Sequence, residues 1–290
     1  MSLPPEILKK VKLLEISTRK MVNNIFAGEY HSAFKGQGMT FSEFREYVPG
    51  DDIRAISWPV TARTGKPFIK KFDEERELTL MLVVDVSGSE DFGSKEYFKG
   101  EVIAHLSALL GFSASKNNDA VGLLLYSDQV EHYVPPKKGR GQVHRILRDL
   151  YYFKPRSCGT SLEVALEHLQ GVLKKRSSVF IFSDFMDAGY DKPMRLMGKK
   201  HDVVACIVRD PFEEKIPAMG LVDFHDAETG QIVTVDTSSK SVQRDYAEHM
   251  ARRRQERDSE LRRTQVDRID VDVSGDFTAP LITFFKKRNR

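Results

Sequence analysis

Cysteine is nearly absent: Cys158 and Cys206 are the only two in 290 residues. That is too few for a disulfide framework or a cysteine-based metal site. Long apolar stretches are missing too. The longest, such as Leu78 to Val84, reach about a third of the ~20 residues a bilayer-spanning helix needs, so no stable membrane insertion is expected. The N-terminus, with Pro4, Pro5, Glu6 and scattered lysines, lacks a continuous apolar stretch of signal-peptide length. Export is therefore not expected, and the cytoplasm is the expected location. Several catalytic signatures are also lacking. There is no Gly-rich phosphate loop ending in Lys-Ser/Thr, no H-E-x-x-H and no Cys pair at zinc spacing. His105, His132, His144, His168 and His201 are scattered, none at a spacing that pairs it with an obvious nucleophile. The expectation is a protein that is not an enzyme.

What is present is a globular composition, 40% hydrophobic and 30% charged, in a chain long enough to bury about three quarters of its unfolded surface. The net charge is only +3, but it is unevenly spread. Residues 1–76 carry 13 Lys+Arg against 10 Asp+Glu, residues 77–239 carry 19 against 23, and residues 240–290 carry 13 against 9. An acidic middle between mildly basic ends implies ends that pack on the centre. A nucleic-acid footprint needs one concentrated basic face, so nucleic acid is not an expected partner.

Along the chain, Ile7, Leu8, Val11, Leu14, Ile16 and Val22 stand at mostly helical spacing and predict a helix over 5–26. Residues 28–72 are irregular and rich in turn residues, a loop-rich flank with short strands. Thr79 to Val86 is a nearly continuous apolar run, the pattern of a strand buried on both faces of a parallel sheet. From there predicted helices alternate with strands. Helical spacing follows Tyr97, Ala120 to Tyr126 is a strand, Gln142 to Tyr152 and Ser161 to Lys174 are helices, and Val179 to Phe182 is a strand. A short helix over 193–198 and a strand over 203–208 follow. That alternation predicts a doubly wound, mostly parallel α/β sheet flanked by helices. Leu221 to His225 and Gln231 to Val235 read as a hairpin at the sheet edge, Ser241 to Thr264 as a long polar surface helix, residues 266–273 as one more strand, and Leu281 to Phe285 as a closing amphipathic helix. The expected domains are an N-terminal helix and flank (1–76) packed on the core, an α/β domain (77–240), and a C-terminal helical extension with an edge strand (241–290).

Asp85-Val86-Ser87-Gly88-Ser89 begins where the first buried strand ends. In extended backbone i, i+2 and i+4 point the same way, so the Asp85 carboxylate and the Ser87 and Ser89 hydroxyls can converge, with Gly88 letting the chain turn tightly. Thr160, at a helix start, and Asp184, directly after the next buried strand, add oxygen donors at equivalent places. These loops meet above the carboxyl ends of neighbouring strands, where open α/β sheets hold ligands. Two carboxylates, three hydroxyls and water form a hard-oxygen site suited to Mg2+, or to another divalent cation such as Mn2+ or Ca2+. With two protein carboxylates balancing a divalent charge, a partner's acidic side chain can replace a water. Each piece has a plainer reading: the serines can cap the following helix, Thr160 with Glu163 fits a capping box, and Asp184 can be an ordinary loop acid. A lone divalent site could also assist phosphoester hydrolysis, which keeps a Mg2+-dependent hydrolase as the alternative function.

Asp85-x-Ser87-x-Ser89, Gly159-Thr160 and Ser183-Asp184 resemble the metal-ion-dependent adhesion site of von Willebrand factor A domains. Phe44 to Trp58, which includes Val48-Pro49-Gly50-Asp51-Asp52, together with Thr61-Ala62-Arg63, Asp210-Pro211-Phe212-Glu213-Glu214 to Ile216-Pro217, and Asp226 to Gly230, resembles the bacterial domain of unknown function 58 family over roughly residues 28–290. Members of that family are commonly encoded beside MoxR-type AAA+ ATPases. The resemblance thus implies a protein-interaction module acting as an adaptor for such an ATPase or its client. Many relatives carry a membrane hairpin near the N-terminus, where this chain has none, which implies a soluble form. Relatives often have Met after the last serine; here Glu90 and Asp91 follow, and this extra charge can repel a partner acid or itself cap the metal.

Arg45, Arg54, Arg63, Asp51 and Asp52 can form an ion-pair network bracing Trp58 against the sheet, or a docking surface for the ATPase. The run Arg252 to Arg254, Arg257, Arg262 and Arg263 reads as a solvated helix face, partly neutralised by Asp258 and Glu260. Phe284 and Phe285 are expected to pack onto the core, since one short turn offers too little apolar area to anchor in a membrane.

Overall fold

In the computed structural model, residues 5–22, 30, 40–73, 78–87, 98–213, 216–225 and 232–288 are described. Two compact units are formed, one by Met1–Ala33 with Leu78–Arg290 and the other by Phe34–Glu77. Among the described residues no helix is long and apolar enough to cross a membrane.

The larger unit is built on strands β3 (Thr79–Asp85), β4 (Ala120–Tyr126), β5 (Val130–Lys138), β6 (Ser178–Ser183), β7 (Asp202–Arg209) and β10 (Asp267–Asp272), in the order β10-β7-β6-β3-β4-β5. Every neighbouring pair is parallel except β4 with β5. The fold is therefore the doubly wound, mostly parallel α/β sheet flanked by helices that the alternation predicts. Leu80 through Asp85 and all of β6 are buried, which is why these strands read as unbroken apolar runs. Helices α3 (Lys99–Lys116), α4 (Arg140–Tyr152), α5 (Leu162–Val172) and α6 (Asp191–Lys200) connect them. Leu162, Leu166, Leu169, Met194 and Met197 pack with Met81, Val83, Val179 and Ile181 in one buried cluster. The N-terminal helix α1 (Pro5–Met21) belongs to this unit, with Glu15 reaching His144 at 3.1 Å and Arg140 at 3.4 Å.

The chain runs from β3 to β4 on one side and later enters β6 on the other side of β3. The order reverses between β3 and β6, and the crevice outside their carboxyl ends is the topological switch point where open α/β sheets bind ligands.

Past β7 the hairpin β8 (Leu221–His225) and β9 (Ile232–Asp236) forms a two-stranded sheet of its own. It is not attached to the edge of the main sheet as expected: the alternation that predicts two paired strands says nothing about what they pair with next. Helix α7 (Lys240–Thr264) then leads into edge strand β10 and the closing helix α8 (Ala279–Arg288). Phe285 is fully buried against Tyr30 and Phe180. Arg288 holds the end of α8 between Asp202 and Asp267, at 2.5 and 2.6 Å. At the opposite edge, β5 contains Pro135 and Pro136, and its pairing with β4 shifts register between Val121 and Leu123.

In the smaller unit β1 (Thr40–Glu46) pairs antiparallel with β2 (Phe68–Asp73) around the short helix α2 (Trp58–Thr64). Arg45 donates to Asp51 at 2.9 Å and Asp52 caps the turn at Arg54. Trp58, however, is 67% exposed. The expected ion-pair network forms in part, and it does not brace the tryptophan, because Pro59 follows it at the start of a short helix with no buried residue.

Candidate metal centre

Asp85 ends β3 and is 1% exposed. Its Oδ1 accepts the Ser87 backbone N–H at 2.9 Å, and its Oδ2 accepts the Ser183 hydroxyl at 3.0 Å. Burial pushes the carboxyl up to about 6 and the Asp184 charge adds to this, while the bonds from Ser87 and Ser183 oppose it. Register explains the Ser183 contact: Val84 faces Phe182 in the parallel pair, so the next residues along both strands emerge together at the rim.

The chain after β6 is folded tightly around this point. The Ser183 hydroxyl accepts the Phe185 N–H at 3.0 Å, and Asp184 Oδ1 accepts the Met186 N–H at 3.0 Å. Phe185 is fully buried, in edge-to-face contact with Tyr190 at 5.9 Å, and has φ +55°. A left-handed backbone is uncommon for a bulky residue, and its packing and serine bond hold it there. The reversal carries Asp187 back to the start of α5, where its Oδ2 accepts the Leu162 N–H at 2.7 Å. Thus Asp187 caps this helix. The Thr160–Glu163 capping box does not form, since α5 starts at Leu162 with Ser161 as its cap residue and no side-chain bond from it. Burial also raises Asp187 to about 6, with the Asp85 and Asp184 charges pushing the same way. Beneath them the fully buried Tyr126 hydroxyl is held well above its ordinary value by burial and then by Asp85 and Asp187.

Thr160 lies on the neighbouring loop. Ser161 N–H donates to Ser127 O at 2.9 Å, fixing this loop to the end of β4, and Gly159 stands where a Cβ would come within 3.3 Å of an Asp128 carboxylate oxygen. Thr160 and Asp184 line one cleft of about 470 Å³, together with Asp187, Asp210 and Glu213. Asp85 and Ser87, at the end of β3, are buried. Asp85 thus stands close enough to Asp184 to feel its charge, and Asp184 shares the cleft with Thr160. Ser89 lies outside the described residues, as do Gly88, Glu90 and Asp91.

All of these donors are oxygens, the chemistry a hard cation takes. Asp85 and Asp187 are raised first by burial and further by neighbouring charge, Asp184 acting on Asp85 and both acting on Asp187, and a cation nearby would offset that repulsion. Among the described residues no group of three or more His, Cys, Asp or Glu side chains stands close enough to hold a metal unaided. Hydroxyls and water would have to complete the sphere, as the two-carboxylate, three-hydroxyl set requires. The donor types among the described residues are those a hard cation such as Mg2+ takes.

The opposite wall of the cleft is α7. Arg257 is 3% exposed, donates to Asp258 through Nε and Nη2 at 3.1 Å, and reaches the Asp184 carbonyl at 3.3 Å. Arg253 donates to the Met186 carbonyl at 2.8 Å. The arginine run is therefore not merely a solvated face; its inner members grip the loop that carries Asp184. Lys99, the first residue of α3, is fully buried and pairs with Glu213 at 2.5 Å, while Glu213 Oε2 accepts the Asp210 N–H at 3.3 Å. Sequence reading missed Ser183 as an orienting group, and missed Asp187 and Lys99. The acid three residues after Asp184 in the same loop is the one signal that could have found Asp187.

The family model described as protein of unknown function DUF58 matches residues 43–256. The chain belongs to this family. Among its relatives, the uncharacterized protein Rv1480 of Mycobacterium tuberculosis is 28% identical over 289 residues, covering 99% of this chain and 91% of that protein. Among solved structures, the conserved hypothetical protein BatB from Bacteroides thetaiotaomicron aligns with a TM-score of 0.47 at 14% identity, over 73% of this chain and 98% of its own. The SpRpn10 VWA domain aligns with a TM-score of 0.38 at 13% identity, over 45% of this chain and 75% of its own.

Proposed function

We propose that this DUF58 chain is a non-enzymatic, metal-dependent protein-interaction module, an adaptor for a MoxR-type AAA+ ATPase or its client, with the site built from Asp85, Ser87, Ser89, Thr160 and Asp184. What supports the reading is Asp85 held by Ser183 at the rim where strand order reverses, with the Asp184 charge acting on it and Asp184 lining one cleft with Thr160. Mg2+, when bound, supplies a positive centre with an exchangeable coordination place for a partner's carboxylate. The protein's own part is positional. Ser183 and the Ser87 amide fix the Asp85 carboxylate, Asp184 is set by the Met186 amide and the Arg257 contact to its carbonyl, and Asp187 ties this loop to the helix that follows Thr160. The ATPase assignment rests on the family resemblance alone.

Asp85→Ala is expected to abolish Mg2+-dependent thermal stabilisation and chelator-sensitive partner capture while circular dichroism stays native. A variant that binds metal and partner as before would overturn the site. Turnover of a generic phosphomonoester or phosphodiester above background, lost in Asp184→Ala, would favour the hydrolase alternative.

A further inference from the structure

The cleft is larger than one carboxylate at a metal requires. At about 470 Å³ it lies within the range of roughly 300–1,000 Å³ typical of sites that enclose whole ligands. Its lining includes Thr160 and Asp184, the α7 residues Arg253, Arg254 and Arg257, and Met186 and Met250. The arginines differ in what they can do. Arg257 is buried and engaged with Asp258 and the Asp184 carbonyl, so it anchors the helix. Arg253 is exposed, and its Nη2 is held by the Met186 carbonyl. A carbonyl orients a guanidinium without cancelling its charge. Among the described residues Arg253 makes no ion pair, and the rest of its five N–H donors form a fork suited to a carboxylate. Because Met186 is two residues from Asp184, that fork is set at a fixed reach from the metal donors. Methionine surface is adaptable and accepts varied apolar groups.

Resting on the metal reading above, we propose that this cleft receives an acidic segment of a protein partner in which one carboxylate goes to the metal, an apolar residue packs on Met186 and Met250, and a second carboxylate docks on Arg253. A nucleic acid does not fit, because its unbroken row of phosphates would run along Asp184, Asp187, Asp210 and Glu213, whereas two separated acids need meet only the metal and Arg253. The occupant must be short, acidic and interrupted by apolar groups.

The test is a random octapeptide display library panned on the full chain in Mg2+, followed by titration of the selected peptide and of a version with its distal acid changed to the amide. The expected consensus has two acids flanking an apolar residue. Arg253→Gln should bind the two-acid peptide about tenfold more weakly, the worth of one charge-assisted contact, and bind the amide version as the parent chain does. Equal weakening toward both peptides would mean that Arg253 only shapes the loop and would overturn the proposal, as would a selection without an acidic consensus. The metal reading is separated by repeating the titration with chelator. If binding is lost, both readings stand; if the Arg253 dependence persists undiminished, the docking of the second acid stands and the metal reading falls.

Discussion

The Ser183 hydroxyl donates to Asp85 Oδ2 at 3.0 Å across 98 positions of sequence, and the same oxygen accepts the Phe185 N–H at 3.0 Å. One serine thus orients the first-strand carboxylate and stabilises the left-handed turn that follows. Ser183→Ala leaves a buried amide without its acceptor. It is expected to cost about 1–3 kcal/mol, read by urea unfolding, and to weaken Mn2+ binding in a competition titration. Unchanged metal affinity would mean that Asp85 needs no such orientation.

Asp187→Ala removes the carboxylate that caps α5 at Leu162. Loss of a helix cap costs about 1 kcal/mol. Asp187→Asn should cost less, because the amide oxygen can still accept from Leu162 while the repulsion from Asp85 and Asp184 is gone. Chemical denaturation of both variants decides the order; equal losses would argue against the cap.

Gly122 lies in β4 where a Cβ would come within 2.8 Å of Met81 Sδ and 3.1 Å of the Pro136 backbone nitrogen. A methyl group there forces the strands apart, so Gly122→Ala should destabilise by about 1–3 kcal/mol, measured by thermal or urea unfolding. A neutral result would show that β5 can shift outward freely.

Asp119 is raised to about 6, chiefly by burial, against hydrogen bonds from the Leu78 amide and the Tyr30 hydroxyl. Its folded value exceeds its unfolded one. The stability tied to its protonation is therefore fully present below the unfolded value and is lost as pH rises through about 6. Asp119→Asn should flatten the stability profile between about pH 4 and pH 6 relative to the parent chain. Parallel profiles in urea unfolding would place the titration elsewhere.

The parallel strands were readable because burial on both faces leaves continuous apolar runs, as in Leu80 to Val84. Strand β5 was not, since Val130–Lys138 carries two prolines and four of its nine residues are charged or His; such a sequence survives only at an edge. Asp85, Thr160 and Asp184 were legible because each follows a strand or precedes a helix. The roles of Ser183, Asp187 and Lys99 depend on which strands are neighbours and where loops return, and local pattern carries neither.

Both borders of the main sheet resist extension. On one, Pro135 and Pro136 have no N–H to offer and the register shift bends the strand. On the other, β10 is flanked by Arg268 forked between Asp258 and Asp270, and by Arg288 on Asp267. Strand addition by another chain, a common route to assembly and to aggregation, is thereby discouraged at either side. A partner seated on the loops above the strand ends, as proposed, would therefore bind without extending the sheet.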